Sequence, residues 1–548
     1  MKKLFLSSVI ALGLVACSDS NESVDNGGGT QAGNTYTSVE VTLGNGLRAA
    51  SQTDNPGTAN EQKLNELLVL SSKGDQNFAY LAAAPADPLN ADGKFWTVSD
   101  KYTTSAWKTT PGSQMLALLF NVNGATTGTA ATTKDQVFEG WSTELSPVGN
   151  LTMSSKAFLA NVKPNITKET ATNGSTEADN VFSGVEVERV VAKGIVRLAD
   201  NVDYNVKDES DVAVITGKIS KVKFAAVNGA KKTYLYRDNA GERTMETADP
   251  NKYLGFTSAI DALTPIKDAV AADAAGLVRL GAANVPAAIY EAKDVNVAGA
   301  DITDEATKAF YFFENSGDFK NADNMKSEGY YRFAYAKVYA VFTPTSLLEI
   351  DEDGTAKLVA KTGTGRFYKE KAAADGGGYV LLGENDDTTG ATEGYLVWQL
   401  KKLTNIAEGT DFYRGETDGI LYASYDAAIS SEYAPNQKAF KYEGGKCGYR
   451  TLWNRQTADA DPSSVVNADV RRNNTYLLTI SKFAKLGFPW DESDPEDPNL
   501  PKPDPEDPRF PEPEDPTDPN IEPSETYMRV VAEVLQWNLV TREDVDLH

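Results

Sequence analysis

Apolar and polar residues alternate with a period of two along most of the chain, and this pattern predicts strands rather than helices. The clearest stretch is near the C-terminus, Tyr527–Leu539. Met528, Val530, Ala532 and Val534 fall on one face, and Tyr527, Arg529, Val531 and Glu533 on the other. The phase then slips, so that Leu535, Trp537 and Leu539 continue the apolar side, which predicts a bulge at Val534–Leu535. A second clear strand is Thr35–Leu43, with Val39, Val41 and Leu43 on one face. It shares the spacing Thr-Tyr-x-x-Val with the first: Thr35, Tyr36 and Val39 against Thr526, Tyr527 and Val530. That echo fits two strands suited to one groove.

Between these two strands the alternation predicts two β-rich blocks. The first, after Arg48, holds strands at Leu67–Leu70, Met115–Asn121, Gly184–Ala192 and Ile195–Leu198, with Asn65–Leu70 also readable as helix. Gly124–Thr133 and Thr172–Asp179 read as polar loops. The second block runs from about 209 to 485. Its strands are Val212–Phe224, Tyr234–Arg237, Arg332–Phe342, Tyr379–Leu382, Tyr395–Lys401, Ala439–Glu443, Tyr449–Trp453 and Thr475–Ile480. Ala259–Ala274 and Ala372–Gly378 read as loops or short helices. The polar run at Asp200–Asp203 marks the boundary between the blocks. A chain of 548 residues is too long for one core, so two or three domains are expected.

Composition changes this picture at one place. Pro489–Pro523 holds 12 of the 24 prolines and 13 Asp or Glu, against only Lys502 and Arg509. Such a stretch builds no core. At the ~3.1 Å per residue of a Pro-rich chain it could reach roughly 100 Å. The C-terminal strand therefore sits on a long leash. It can fold back on its own domain or pair far from it. The net charge of −25 argues against nucleic acid or anionic lipid as a partner, and the tether supplies much of it.

The single His is the last residue, His548, so His-based triads and His metal sites are excluded from the body of the chain. Cys17 and Cys447 are the only cysteines, too few for a disulfide framework or a zinc cluster. Asp351-Glu352-Asp353-Gly354 lacks the spacing of a calcium loop and reads as an acidic turn. Gly376–Gly378 has no following Lys-Ser/Thr, so it is a turn and no phosphate loop. Trp107, Trp141, Trp398, Trp453, Trp490 and Trp537 could stack on sugars, although core packing is the stronger reading. No cofactor, metal or catalytic residue is expected, and the sequence reads as a non-enzyme.

The N-terminus reads as an export signal. Lys2 and Lys3 precede an apolar run, Leu4–Val15, too short to span a bilayer. Leu14-Val15-Ala16-Cys17 matches the bacterial lipobox, in which Cys17 is acylated and becomes the new N-terminus. Residues 18–34 read as a flexible spacer. Arg48, the first Arg, follows Gly44-Asn45-Gly46-Leu47, an open target for an Arg-specific protease cutting before Ala49.

The end of the second block carries a resemblance. Tyr442, Tyr449, Trp453-Asn454, Val470-Arg471-Arg472-Asn473-Asn474-Thr475-Tyr476, Ile480 and Leu486-Gly487 form a pattern similar to the Bacteroidales fimbrillins, the major subunits of type V pili. Within that family the likeness is greatest to the major-subunit type of the short (minor) fimbriae, with Val530–Trp537 and Val545-Asp546-Leu547 in matching places. Weaker matches lie at Val185–Ala192 and Ile219–Arg237.

The resemblance implies a mainly β protein of two transthyretin-like β-sandwich domains in tandem, followed by the tether and a C-terminal donor strand. Its segments would be a signal peptide (1–16), a propeptide with a removable strand (17–48), an N-terminal domain (49–208), a C-terminal domain (209–488), a linker (489–524) and the final strand (525–548). It implies a precursor lipidated at Cys17 at the outer membrane and cut between Arg48 and Ala49. The strand bearing Val39, Val41 and Leu43 would then leave. A strand bearing Met528, Val530, Ala532, Val534, Leu535, Trp537 and Leu539 would enter from the next subunit. The partners implied are further copies of the chain joined head to tail, accessory tip and anchor subunits, an Arg-specific protease, and the membrane through the lipid. The product would be an extracellular fimbrium supporting adhesion and biofilm. The rival readings are a monomeric outer-membrane lipoprotein binding glycans through Tyr330, Tyr331 and Trp398, or a tip or anchor subunit.

Overall fold

The computed structural model describes residues 35–43, most of 54–121, 137–139, most of 146–234, 292–313, most of 334–489, and 528–537. Strands dominate them, as the alternation predicts, and they assemble into several sheets. The elements used below are numbered in chain order. They are β1 (Thr35–Leu43), β2 (Asp54–Asn55), β3 (Leu67–Ser72), β4 (Lys101–Thr104), β5 (Trp107–Thr109), β6 (Gly112–Phe120), β7 (Met153–Ser155), α1 (Lys168–Asn173), β8 (Val181–Arg189) and β9 (Val191–Asp203). They continue with β10 (Val214–Val227), β11 (Phe310–Phe313), β12 (Tyr335–Pro344), β13 (Lys446–Leu452), β14 (Asn474–Phe483) and β15 (Met528–Trp537).

The N-terminal unit is a ten-stranded sheet whose central run is β3-β6-β7-β8-β1-β4. It closes on a core that includes Val39, Trp107, Leu116, Phe120, Phe182 and Val185. The helical alternative for Asn65–Leu70 gives way to a strand at Leu67–Ser72, because its backbone is drawn into the ladder beside β6. Thr172–Asp179, read as a loop, contains the end of α1 and a 3-10 turn at Glu177–Asp179. Thr167 Oγ1 caps α1 by accepting the N–H of Thr170 at 3.1 Å.

At Val190 the chain leaves this sheet. β9 joins the five-stranded sheet β11-β9-β14-β15-β2, pairing in parallel with β14. This sheet packs on a second one, in which β10, β12 and β13 are neighbours, across one large core. The interior side of β14 is Tyr476, Leu478 and Ile480. Its other side is covered too, since Leu477 packs with Ile195 and Ala309. That is why β14 is buried along most of its length rather than on alternate residues only. Gly194 has a packing reason to be glycine: a Cβ there would meet the ring of Trp453 at 2.8 Å.

The described residues between 346 and 442 build two further sheets, a lobe the sequence pattern did not separate from the second block. Phe412 stitches it to the main core, stacked on Tyr442 at 4.6 Å and edge-on to Phe342 at 5.8 Å. The acidic run at 351–354 forms a turn closed by the N–H of Gly354 donating to the Asp351 carbonyl at 2.8 Å. Trp107 and Trp453 are core residues and Trp398 is half-buried. Tyr330, Tyr331, Trp141, Trp490 and Ala259–Ala274 lie outside the described residues.

Cys447 lies in β13 opposite Pro489 and is fully buried. Burial pushes its thiol up to about 12 from an ordinary value of 9.0. At pH 8 the thiolate fraction is on the order of 10⁻⁴, so in folded protein with Cys17 replaced, Cys447 should resist iodoacetamide and label only in denaturant. Rapid labelling of folded protein would contradict this burial. The folded state holds this proton more tightly than the unfolded state. Its stabilising contribution is therefore complete below about pH 9 and declines as pH rises toward 12.

Candidate functional site: the slot of the first strand

β1 lies inside its sheet, with partners on both edges. It pairs in parallel with β8, from Ser38 opposite Val181 to Leu43 opposite Val187. On its other edge it runs antiparallel to β4 and β5. A register shift between Val39 and Val41 lets the strand follow both neighbours. Val41 and Leu43 are thereby placed opposite Val185 and Val187.

Val39 is fully buried in the N-terminal core, as the alternation predicts. Thr35, Thr37 and Ser38 are equally inaccessible, which alternation does not predict. Each hydroxyl donates to a backbone carbonyl: Thr35 to Lys163 at 2.6 Å, Thr37 to Asn180 at 2.7 Å and Ser38 to Ala171, the last from α1, at 2.5 Å. The backbone N–H of Val39 donates to Thr104 Oγ1 at 2.9 Å. A buried hydroxyl is tolerable only with such a partner.

Asn180 is the hub of this slot. Its carbonyl accepts the Ser38 N–H at 3.1 Å. Its side-chain Nδ2 donates to Tyr36 O at 3.0 Å, Lys163 O at 2.9 Å and Thr35 Oγ1 at 3.2 Å, while Oδ1 accepts the Lys163 N–H at 2.7 Å. It adopts φ 56°, a left-handed conformation that Asn tolerates better than most residues. The short polar side chain thus turns the backbone and fastens it to β1 at one position.

β15 is placed on its own chain, antiparallel to β14. Val530, Ala532, Val534 and Leu535 stand opposite Ile480, Leu478, Tyr476 and Thr475. Beyond β15, among the described residues, lies only β2, two residues long, parallel to Gln536 and Trp537. Met528 is half-buried against the main core. The expected bulge at Val534–Leu535 is corrected: pairing runs through it unbroken. The register shift falls between Ile480 and Lys482 of β14 instead, opposite Val530 and Arg529. The extra residue there, Ser481, belongs to β14, and β15 keeps one register from Val530 to Gln536. Cys17, Arg48, Ala49 and Leu539 lie outside the described residues.

A second polar cluster escaped the sequence reading. Glu61, Arg189 and Lys193 are all buried where β8 passes into β9. Lys193 Nζ is 2.7 Å from Glu61 Oε1, and the Tyr311 hydroxyl donates to the same oxygen. Burial pulls Arg189 down to about 9, against the opposing pull of Glu61. Burial likewise lowers Lys193 and raises Tyr311. The available signal was a cation placed twice within an apolar run, Arg189 and Lys193 in Val187–Val196.

Comparison with known proteins bears on the class. Residues 440–543 match the family described as major fimbrial subunit protein type IV, fimbrillin, C-terminal. Over that region the chain matches the fimbrillin family model, in agreement with the resemblance in its sequence. Its described β13, β14 and β15 all fall within the matched residues. Among solved structures, the chain is similar to a fimbrilin of Porphyromonas gingivalis W83 at 14% identity, covering 93% of this chain and 99% of that one, with a TM-score of 0.39. It is also similar to a putative cell adhesion protein of Parabacteroides distasonis ATCC 8503 at 12% identity, covering 92% and 100%, with a TM-score of 0.40. A C-terminally truncated tip fimbrial protein of Porphyromonas gingivalis is a further neighbour, at 12% identity, covering 92% and 100%, with a TM-score of 0.30.

Proposed function

We propose that this protein is a structural shaft subunit of surface fimbriae, polymerised by exchange of β1 for the C-terminal strand of another copy. The observation that carries the proposal is the position of β1: an interior strand, bonded on both edges, that ends five residues before Arg48. One cut after Arg48 severs its C-terminal connection, and its departure opens a slot with two unpaired edges. The precursor is lipidated at Cys17 and carried to the outer membrane, and an Arg-specific protease cuts between Arg48 and Ala49. The proposed segments are a signal (1–16), a propeptide (17–48), two β domains, a linker (489–524) and a donor strand (525–548). The sheet change at Val190 supports starting the second domain there rather than at 209.

The burial pattern supports β15 as the occupant. Within Thr35–Glu40 only Tyr36 and Glu40 are half-exposed. They are four residues apart, as are Arg529 and Glu533, the only charged residues of β15. Superposing the two pairs puts Val531 in the place of Ser38, with Val530 and Ala532 beside it, whichever way the strand runs. Buried valines contribute ~1.5–3 kcal/mol each, and ladder hydrogen bonds ~1 kcal/mol each, so the joint would dissociate very slowly. The contact is head to tail and grows an open filament. Tip and anchor subunits would terminate it at either end.

The test uses protein made without its signal and with Cys17 replaced. Brief trypsin treatment, intact mass, unboiled SDS gels and negative-stain images should show a cut after Arg48 and an SDS-resistant ladder. Deleting Tyr527–His548 should abolish the ladder. A clean cut at Arg48 that leaves only monomer at high concentration overturns the proposal.

A further inference from the structure

The buried charge cluster at the junction of the two units does not belong to the strand slot. It gathers around one carboxylate on a short run, Gly57–Lys63, that lies downstream of Arg48 and therefore stays with the body after cleavage. Glu61 sits on a single 3-10 turn, Asn60–Gln62, and is fully buried. Its Oε1 meets Lys193 and Tyr311 as described, and its Oε2 accepts the Thr58 N–H at 2.7 Å. Its backbone carbonyl accepts from Arg189 Nε at 3.1 Å. Arg189 Nη1 continues to Asn473 Oδ1 at 3.3 Å, just before β14. Lys193 Nζ also donates to Ile302 O at 3.0 Å. Alongside, the Asn60 N–H donates to Glu305 Oε1 at 2.6 Å.

Three separate parts of the chain thus converge on this turn: the passage from β8 to β9, the loop at 301–308 with β11, and the residue leading into β14. The turn is short and carries little apolar surface of its own, so the carboxylate is its main anchor. The chemistry is asymmetric. Without the Glu61 carboxylate, Lys193 would lose its direct ion pair while staying buried beside Arg189, a far costlier state than losing a surface pair. Five residues upstream of this turn, β2 lies along the outer edge of β15 at Gln536 and Trp537.

We propose that Glu61 is a plug in a socket formed by Lys193, Arg189 and Tyr311, which fastens the post-cleavage N-terminal stretch to the body and, through β2, clasps the C-terminal strand on its own subunit. The clasp exists in the uncut chain whatever its later fate. Its role in timing strand release rests on the assembly reading above. Excision of β1 then frees the chain only up to the plug, and β15 must break its contact with β2 before it can leave.

Hydrogen exchange on the intact, uncut protein tests this without any assembly step. In Glu61→Gln, backbone protection at 54–62 and at 528–537 should both fall about tenfold or more, while 393–404 in the distant lobe keeps wild-type protection. In Asp54→Pro, which removes one backbone N–H from β2 and leaves the socket intact, protection should fall at 528–537 and persist at 60–62. The proposal is overturned if 528–537 is unchanged in Asp54→Pro. It is equally overturned if Glu61→Gln loosens 393–404 to the same degree as 528–537, which would mark general destabilisation. Should Glu61→Gln fail to fold, Asp54→Pro alone decides. Failure of the assembly reading would show instead as monomer after cleavage, with these exchange patterns intact.

Discussion

Asn180→Ala should lower the free energy of unfolding of the N-terminal unit by about 3 kcal/mol, read from urea denaturation of the uncut protein. The change removes a buried side chain that makes four hydrogen bonds, two of them to β1. It leaves the Lys163 N–H and the Tyr36 carbonyl without these partners. Leaving buried polar groups unpaired costs ~1–3 kcal/mol each, although water entering the gap would offset part of that. The backbone adds its own term, because Ala at φ 56° is disfavoured by roughly 1 kcal/mol. Asn180→Gly separates the two, since glycine removes the side chain without the backbone penalty. After trypsin treatment, the peptide containing β1 should leave the Asn180→Ala protein faster than wild type. If unfolding and release both match wild type, Asn180 is no hub.

Trp453→Ala should cost about 3–5 kcal/mol, the range for removing a large buried aromatic. Trp453 is fully buried and stacks on Phe312 at 5.5 Å between ring centroids. Its ring also lies against the Cα of Gly194, so it ties β13 to β9 and β11 across the main core. Its indole N–H has no hydrogen-bond partner among the described residues. Trp453→Phe should therefore cost much less than Trp453→Ala, since it loses volume but no bond. Equal losses for the two would mean that the N–H matters in some way this geometry does not provide. Gly194→Ala approaches the same contact from the other side and should destabilise by overpacking, by about 1–3 kcal/mol.

Most strands were legible because the alternation survives in sequence. Thr35–Leu43 and the core of β14 fall where the pattern puts them. The lobe between 346 and 442 was not legible as a separate body, because its strands alternate like those around it and only pairing partners distinguish them. The boundary near 200–210 followed a polar run, whereas the change of sheet comes at Val190. β9 simply runs on past the boundary into those polar residues, half-exposed at its far end. The bulge expected at Val534–Leu535 does not form, because two successive apolar residues do not require a break in the ladder, and the register is a tertiary fact set with β14, whose own irregularity lies at Ser481.

The sequence by itself determined the β class, the strand before Arg48, and the apolar C-terminal strand, since each depends on local composition and period. It also held the fimbrillin pattern that the matched residues 440–543 bear out. Only the tertiary structure decided that β1 lies in the interior of its sheet, because sheet order depends on which distant strands pair. It alone decided that Thr35, Thr37 and Ser38 are buried as deeply as Val39. Hydroxyl side chains read as surface residues until the carbonyls that satisfy them, at Lys163, Asn180 and Ala171, are brought within reach. The same holds for Glu61, whose carboxylate can be buried only because Lys193 and Arg189, more than a hundred residues away, are folded against it.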